Sequence, residues 1–248
     1  MALLTEERVR QMSDNGTRGP VVVRREDVLT PSARSWLREH RVEVVYPQGA
    51  PREDKGGKAP AGPKYRTPFG AALEEKPEHM THLRGNILVF KDHPRIAFRG
   101  MIDLLEGEIA LCQQVCVREG LPALAEELEE VLGFVRRFIR FDVLEEPVGE
   151  VRLCGLGPEE LRERSHYPEK YYGQPHFLLH YTDSPAILAV NKVRAVARQT
   201  ELAAYRAFRD ENGAVTREDI LQGLNRLSSL LWIFMIKLKA GKYGNTGA

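Results

Sequence analysis

Hydrophobic positions recur at helical spacing through most of the chain beyond residue 81. From 121 to about 143, Leu124, Leu128, Val131, Leu132, Val135 and Ile139 follow one another at steps that a 3.6-residue repeat gathers into a single apolar stripe. From about 217 to 239, Ile220, Leu221, Leu224, Leu227, Leu231, Phe234 and Leu238 do the same, which predicts a central helix of a bundle. Thr216 and Asp219 stand ahead of that stripe in capping-box relation. Two more long helices are predicted, one opened by Pro94 and ending near 118, the other running from about 185 to 211. Between them PEELRERSHY reads as a short helix, and YPEKYYGQPHFLLHYTDS as an irregular aromatic-rich connection, either a pocket wall or a packed-down loop.

The pattern ahead of this is different. Residues 1–48 read as a short helix, an apolar strand in GPVVVRRED, a second helix and a second strand in RVEVVYP. The second helix has a clear start, because the Thr30 hydroxyl can cap free amides while Pro31 occupies the first turn. Residues 49–80 are dense in Pro, Gly and Lys, which a core cannot use, and are expected as a linker or mobile loop. DKGGK within them lacks the spacing of a phosphate-binding loop. The expected architecture is mainly α: a helical bundle over residues 81–243 with a small N-terminal α/β segment.

Composition narrows the function. The chain has 248 residues, 42% of them hydrophobic, enough to fill a normal core. With 36 basic and 35 acidic residues, the formal charge of +1 gives no global field to gather nucleic acid or anionic lipid, so any anion site is local. MALLTEERVRQM lacks the apolar core of a signal peptide, and no stretch approaches the roughly 20 apolar residues of a membrane span. A cytoplasmic location is expected. Cys112, Cys116 and Cys154 are too few and too scattered for a disulfide framework, and a structural zinc site would want a fourth ligand; they read as reduced thiols.

One charge pattern stands out. In AVNKVRAVARQTEL, Arg194, Arg198 and Glu201 fall at i, i+4 and i+7, stacking two guanidiniums and a carboxylate on one helical face. Two cations a turn apart repel, so the arrangement suits an anion or an acidic partner lying across both. Asn225 interrupts the apolar neighbourhood of the last helix, as a core amide that fixes register or as a ligand contact. Asp103 lies four residues after Arg99, which by periodicity alone reads as a surface pair. Gly100 and Gly107 beside it would permit close approach of another helix, so that an arginine from a neighbouring helix or subunit could reach Asp103.

Several blocks in order carry a resemblance. THLRGNILVFKDHPRIAFRGMID places Thr81, Lys91, Arg95, Gly100 and Asp103; VRAVARQTE has an Arg-x-x-x-Arg-x-x-Glu pattern; LNRLSSLLW contains Leu-Asn-Arg-Leu-Ser; and LTPSARSWL lies near the start. Together, from about residue 28 to 240, they resemble the ATP:cob(I)alamin adenosyltransferases, most closely the ethanolamine-utilisation branch and more distantly the propanediol-utilisation type. The resemblance implies attack of cob(I)alamin cobalt on C5′ of ATP, giving adenosylcobalamin and triphosphate. By resemblance Arg198, Glu201 and Asn225 contact ATP, with Thr81 and Lys91 on the phosphate side. Arg194 pairs with Asp103 between subunits, the three residues Arg198, Arg194 and Asp103 being the catalytic set. Phe177 resembles the aromatic side chain that crowds the lower face of the corrin, with its surrounding segment differing by one residue in spacing. Mg²⁺ would accompany ATP, since hard cations prefer phosphate oxygens. A homo-oligomer with inter-subunit active sites, a reductase partner and association with a bacterial microcompartment belong to the same implication.

Two stretches depart from the family. KPEHMT stands where the propanediol type has a glycine-rich phosphate loop, so the triphosphate must be held differently. FGAALEEKPEHM stands where many ethanolamine-branch members carry a His and Cys metal cluster; it has no cysteine, and no zinc or iron requirement is expected. The competing readings are a non-enzymatic helical scaffold, in which the arginines grip an acidic partner, and a di-metal bundle. The latter needs Glu-x-x-His pairs on long helices, whereas here only Glu163 and His166 have that spacing, on a short one.

Overall fold

A computed structural model describes residues 3–14, 21–23, 27–40, 42, 44–45 and 63–244. Contacts divide the chain into two units, Met1–Pro60 and Ala61–Ala248. Residues 49–62 of the expected linker, with DKGGK, lie outside the described residues.

In the first unit, β1 (Leu3–Leu4), α1 (Glu6–Asp14), β2 (Val21–Val22), β3 (Val28–Leu29), α2 (Pro31–Glu39) and β4 (Val44–Val45) follow in order. β1 pairs with β3 and β2 with β4, both in parallel. Val9, Val21, Val23, Ala33 and Leu37 form its core. The Thr30 hydroxyl accepts from the amide of Ala33 at 3.3 Å, as the Thr-Pro start of α2 predicts. β1 and β3 were not expected, being two residues each and too short to carry an alternating pattern.

The second unit begins with β5 (Tyr65–Arg66), β6 (Ala72–Leu73), β7 (Met80–Arg84) and β8 (Ile87–Phe90), a sheet in the order β6-β5-β8-β7. Residues 65–73, within the segment expected as linker, thus supply two short strands; Pro and Gly there mark turns rather than a chain without structure. β7 and β8 are antiparallel, with Thr81 opposite Val89 and Gly85 turning the chain at φ +50°.

The bundle comprises α3 (Pro94–Arg118), α4 (Pro122–Val143), α5 (Pro158–His166), α6 (Pro168–Tyr172), α7 (Pro185–Phe208) and α8 (Glu218–Lys239). α3 packs on α4 and α7, α7 on α8, and α5 on α8. The predicted stripes are the core: Leu124, Leu128, Val131 and Val135 of α4 and Ile220, Leu224, Leu227 and Leu231 of α8 are fully buried. α7 starts where the Ser184 hydroxyl accepts from Ile187 N and Pro185 fills the first turn. It stops at Phe208 rather than 211, because the Asp210 carboxylate accepts from the amides of Asn212 and Ala214 and so makes a turn instead of a further helical one.

Two local expectations are corrected, and a third is not met within one chain. The capping box ahead of α8 does not form: Thr216 donates to the Phe208 carbonyl at 2.8 Å, while Asp219 takes the Arg217 guanidinium at 2.9 Å and Val148 N at 3.0 Å. Arg99 does not pair with Asp103. It joins Arg95 on Asp142, whose carboxylate is fully buried, with Nε contacts of 2.5 and 2.6 Å. Arg99 also donates to the carbonyls of His82 and Leu83, which fastens the β7–β8 hairpin to the helices. Finally, a Cβ added at Gly100 or Gly107 would meet nothing within 4 Å, whereas one at Gly223 would lie 3.1 Å from Phe138 Cζ. The close helix approach that glycine permits is between α8 and α4.

Candidate functional site

A polar cavity of about 410 Å³ opens where α7, α8, the end of α5 and the 173–184 connection meet. α7 contributes Arg194 and Arg198 one turn apart, and α8 contributes Asn225, Ser228, Ser229 and Trp232. Ser165, His166 and His176 complete the lining. The i, i+4 spacing read in the sequence therefore points both guanidiniums into one cleft.

Arg194 is half-buried, with its guanidinium 5.1 Å from the centre of the Trp232 ring. Its Nε is buried and meets no hydrogen-bond partner. Burial first, and the charge of Arg198 second, push its pKa down from the ordinary arginine value. Neither arginine meets a carboxylate of the described chain in an ion pair. A buried donor without an acceptor is costly, and the residue that carries it lines the cavity.

Asn225 is exposed at the cavity rather than sequestered in the core. Its Nδ2 donates to Glu201 Oε1 at 3.3 Å and its Oδ1 accepts from Arg226 at 2.8 Å. A carboxylate on one side and a guanidinium on the other fix which way the amide points. The α7 and α8 members of the expected ATP set, Arg198, Glu201 and Asn225, are thus brought together.

Phe177 lies on the connection before α7, half-buried and stacked on Trp232 at 5.2 Å, with His176 stacked on the same indole at 5.7 Å. Lys239 pairs with the buried Asp183 and lies 5.3 Å from the Phe177 ring, so the connection is tied at both ends of its aromatic stretch. The hydrogen bond from Lys239, helped by His180 N, holds the Asp183 carboxyl below the usual aspartate range. Trp232 escaped the sequence reading, although it falls seven residues after Asn225 and so on the same face of the helix.

Five expected residues do not line the cavity: Glu201, hydrogen-bonded to Asn225, and Phe177, stacked on Trp232, each touch a residue that does, and three lie elsewhere. Thr81 sits on β7; Lys91, just after β8, is exposed and paired with Glu78 at 3.1 Å; Asp103 is exposed on α3, without an ion pair among the described residues. Cys112 and Cys116 are buried in α3, where their mutual hydrogen bond raises the Cys112 thiol. Burial, followed by Glu130, pushes the Cys154 thiol up to about 12. Among the described residues no cluster of three or more His, Cys, Asp or Glu could hold a metal ion, and no helix is long and apolar enough to cross a membrane.

Comparison with known proteins gives two concordant findings. Residues 71–238 match the family described as cobalamin adenosyltransferase. The chain is 30% identical over 225 residues to the corrinoid adenosyltransferase EutT of Salmonella typhimurium, covering 84% of this chain and 81% of that protein. The protein of the same name from Escherichia coli K12 is 30% identical over 221 residues, with the same coverage.

Proposed function

Since the chain belongs to the cobalamin adenosyltransferase family and adenosylates a corrinoid from ATP, we propose that the cavity between α7 and α8 is where the two substrates meet. The observation that carries this reading is the buried, unpaired Nε of Arg194 beside Arg198 in a cleft without an ion-pairing carboxylate. Arg198, Glu201 and Asn225 then hold the nucleotide, with Thr81 and Lys91 on the phosphate side.

The protein has little covalent chemistry to perform. Cob(I) is a strong nucleophile, the new bond is cobalt to C5′, and the electron pair of the broken C5′–O bond leaves with triphosphate. What the residues supply is alignment of C5′ and stabilisation of the departing charge, for which two guanidiniums lining one cleft suit. Mg²⁺ would arrive on the phosphate oxygens, since hard cations prefer oxygen ligands and need few from the protein. Phe177, braced by Trp232, is the ring that crowds the lower face of the corrin and keeps an axial ligand away.

Asp103, Thr81 and Lys91 complete the site from a second copy of the chain. Two features support this: Asp103 has no ion pair among the described residues, and α3 carries an exposed face of Gly100, Leu104, Gly107 and Leu111 with open space over both glycines. Small residues on such a face allow a neighbouring helix to approach closely. A place in ethanolamine utilisation, in the cytoplasm, with a reductase and a microcompartment as partners, is proposed from the family resemblance of the sequence alone.

The test is anaerobic mixing of the protein with ATP, Mg²⁺ and chemically reduced cob(I)alamin while following the corrinoid spectrum. The wild type should convert cob(I)alamin to adenosylcobalamin, and Arg198→Ala should be slower by about 10²-fold or more with an unchanged circular dichroism spectrum. Near-normal turnover by Arg198→Ala would remove that side chain from the site.

A further inference from the structure

Next to the cavity, and sharing His166 with it, α5 and α8 enclose a groove of about 600 Å³. Arg162 of α5 and Arg226 of α8 both line it, and their charges repel. Arg226 has a buried Nε with no hydrogen-bond partner and spends one of its other nitrogens on Asn225. Two carboxylates also line the groove. Glu163 is engaged elsewhere, by Lys170 at 2.8 Å and by Tyr171 at 2.5 Å. Glu159 has no ion pair among the described residues, and its charge works against an anion there. Tyr167, 62% exposed, adds an aromatic ring.

Two guanidiniums lining one groove, neither held by a carboxylate in an ion pair among the described residues, suit a phosphoryl group, and the ring beside them suits a base attached to it. We infer that the Arg162–Arg226 groove binds the phosphoryl group of a nucleotide moiety during adenosyl transfer. This rests on the α7–α8 cavity being the place of reaction, and it supplies a phosphate holder in a chain without a glycine-rich phosphate loop. Two substrates carry such a group: ATP in its triphosphate, and a complete cobalamin in the phosphodiester of its nucleotide tail. The chemistry is shared, and the two sources separate in experiment.

Inorganic triphosphate titrated into the full-length protein by calorimetry tests the groove directly. Arg162 is exposed, so Arg162→Gln should leave the fold intact and weaken binding about tenfold, the worth of one charge-assisted contact. Glu159→Gln removes the opposing charge and should tighten binding, a gain that a merely structural role for this surface would not give. KM values then identify the source. A rise for ATP alone assigns the groove to the triphosphate; a rise for cobalamin, absent with cobinamide, which lacks the nucleotide tail, assigns it to the phosphodiester. Unchanged triphosphate affinity in both variants, or unchanged KM for both substrates, overturns the proposal. Failure of the wild type to adenosylate would instead strike the reading of the main cavity, whatever triphosphate does.

Discussion

Arg95 with Arg99, and Arg194 with Arg198, are two arginine pairs with the same one-turn spacing, and they have opposite fates. Arg95 and Arg99 on α3 converge on Asp142, a fully buried carboxylate at the end of α4, and their remaining donors reach the carbonyls of Asp142, His82 and Leu83. Arg194 and Arg198 on α7 converge on a cavity, one of them with a buried donor left over. The same local spacing therefore means different things. Where a carboxylate fills the space between the guanidiniums, the pair is a fastening; where the space is left open, the pair waits for something brought from outside the chain.

The comparison is broken most forcefully at Asp142. Asp142→Asn should leave Arg99 without a counter-charge and Arg95 with only Glu145 at 3.7 Å, and cost about 3–5 kcal/mol of stability, measurable by urea unfolding. A loss below about 1 kcal/mol would mean that the cluster does not fasten the hairpin to the bundle.

The next test addresses the open pair. Arg194→Ala and Asp103→Ala should each reduce turnover by about 10²-fold without lowering stability, and the double variant should be little worse than either single one. Additive losses would show that the two side chains never meet. Mixing the two single variants should restore part of the activity if each site draws on two copies of the chain.

A smaller effect sharpens the contrast. Burial raises the Asp219 carboxyl, but the Arg217 hydrogen bond and Val148 N more than offset it, so its pKa lies below the ordinary aspartate value. A depressed carboxylate contributes stability above its unfolded pKa and loses it as pH falls through the folded one. Asp219→Asn should accordingly destabilise by roughly 1 kcal/mol at pH 7, and the difference should shrink below about pH 4. A loss independent of pH would assign the effect to shape rather than charge.

The long helices were legible because each buries one stripe, and a 3.6-residue period is written directly in the order of Leu, Val and Phe. The shared face of Arg194, Arg198 and Glu201 was legible for the same reason, because periodicity decides which residues share a face; Asn225, placed within an apolar neighbourhood, is instead exposed. What the sequence concealed is tertiary. Asp142 stands 47 residues from Arg95, with nothing local to mark it as the partner, and it outcompeted the nearer Asp103 for Arg99. Nothing in the sequence marked Gly223 as the glycine at a close helix approach within the chain, where the rings of Phe134 and Phe138 need the room. Strands of two residues, such as β1 and β5, lack the length for any period to appear.

The central claim is that the guanidiniums of α7 face substrate. The most direct measurement is a calorimetric titration of ATP with Mg²⁺ into wild-type protein and Arg198→Ala. The account predicts clear binding to the wild type and a loss of about tenfold or more in the variant, from one charge-assisted contact removed. Equal affinity in the two proteins would contradict it.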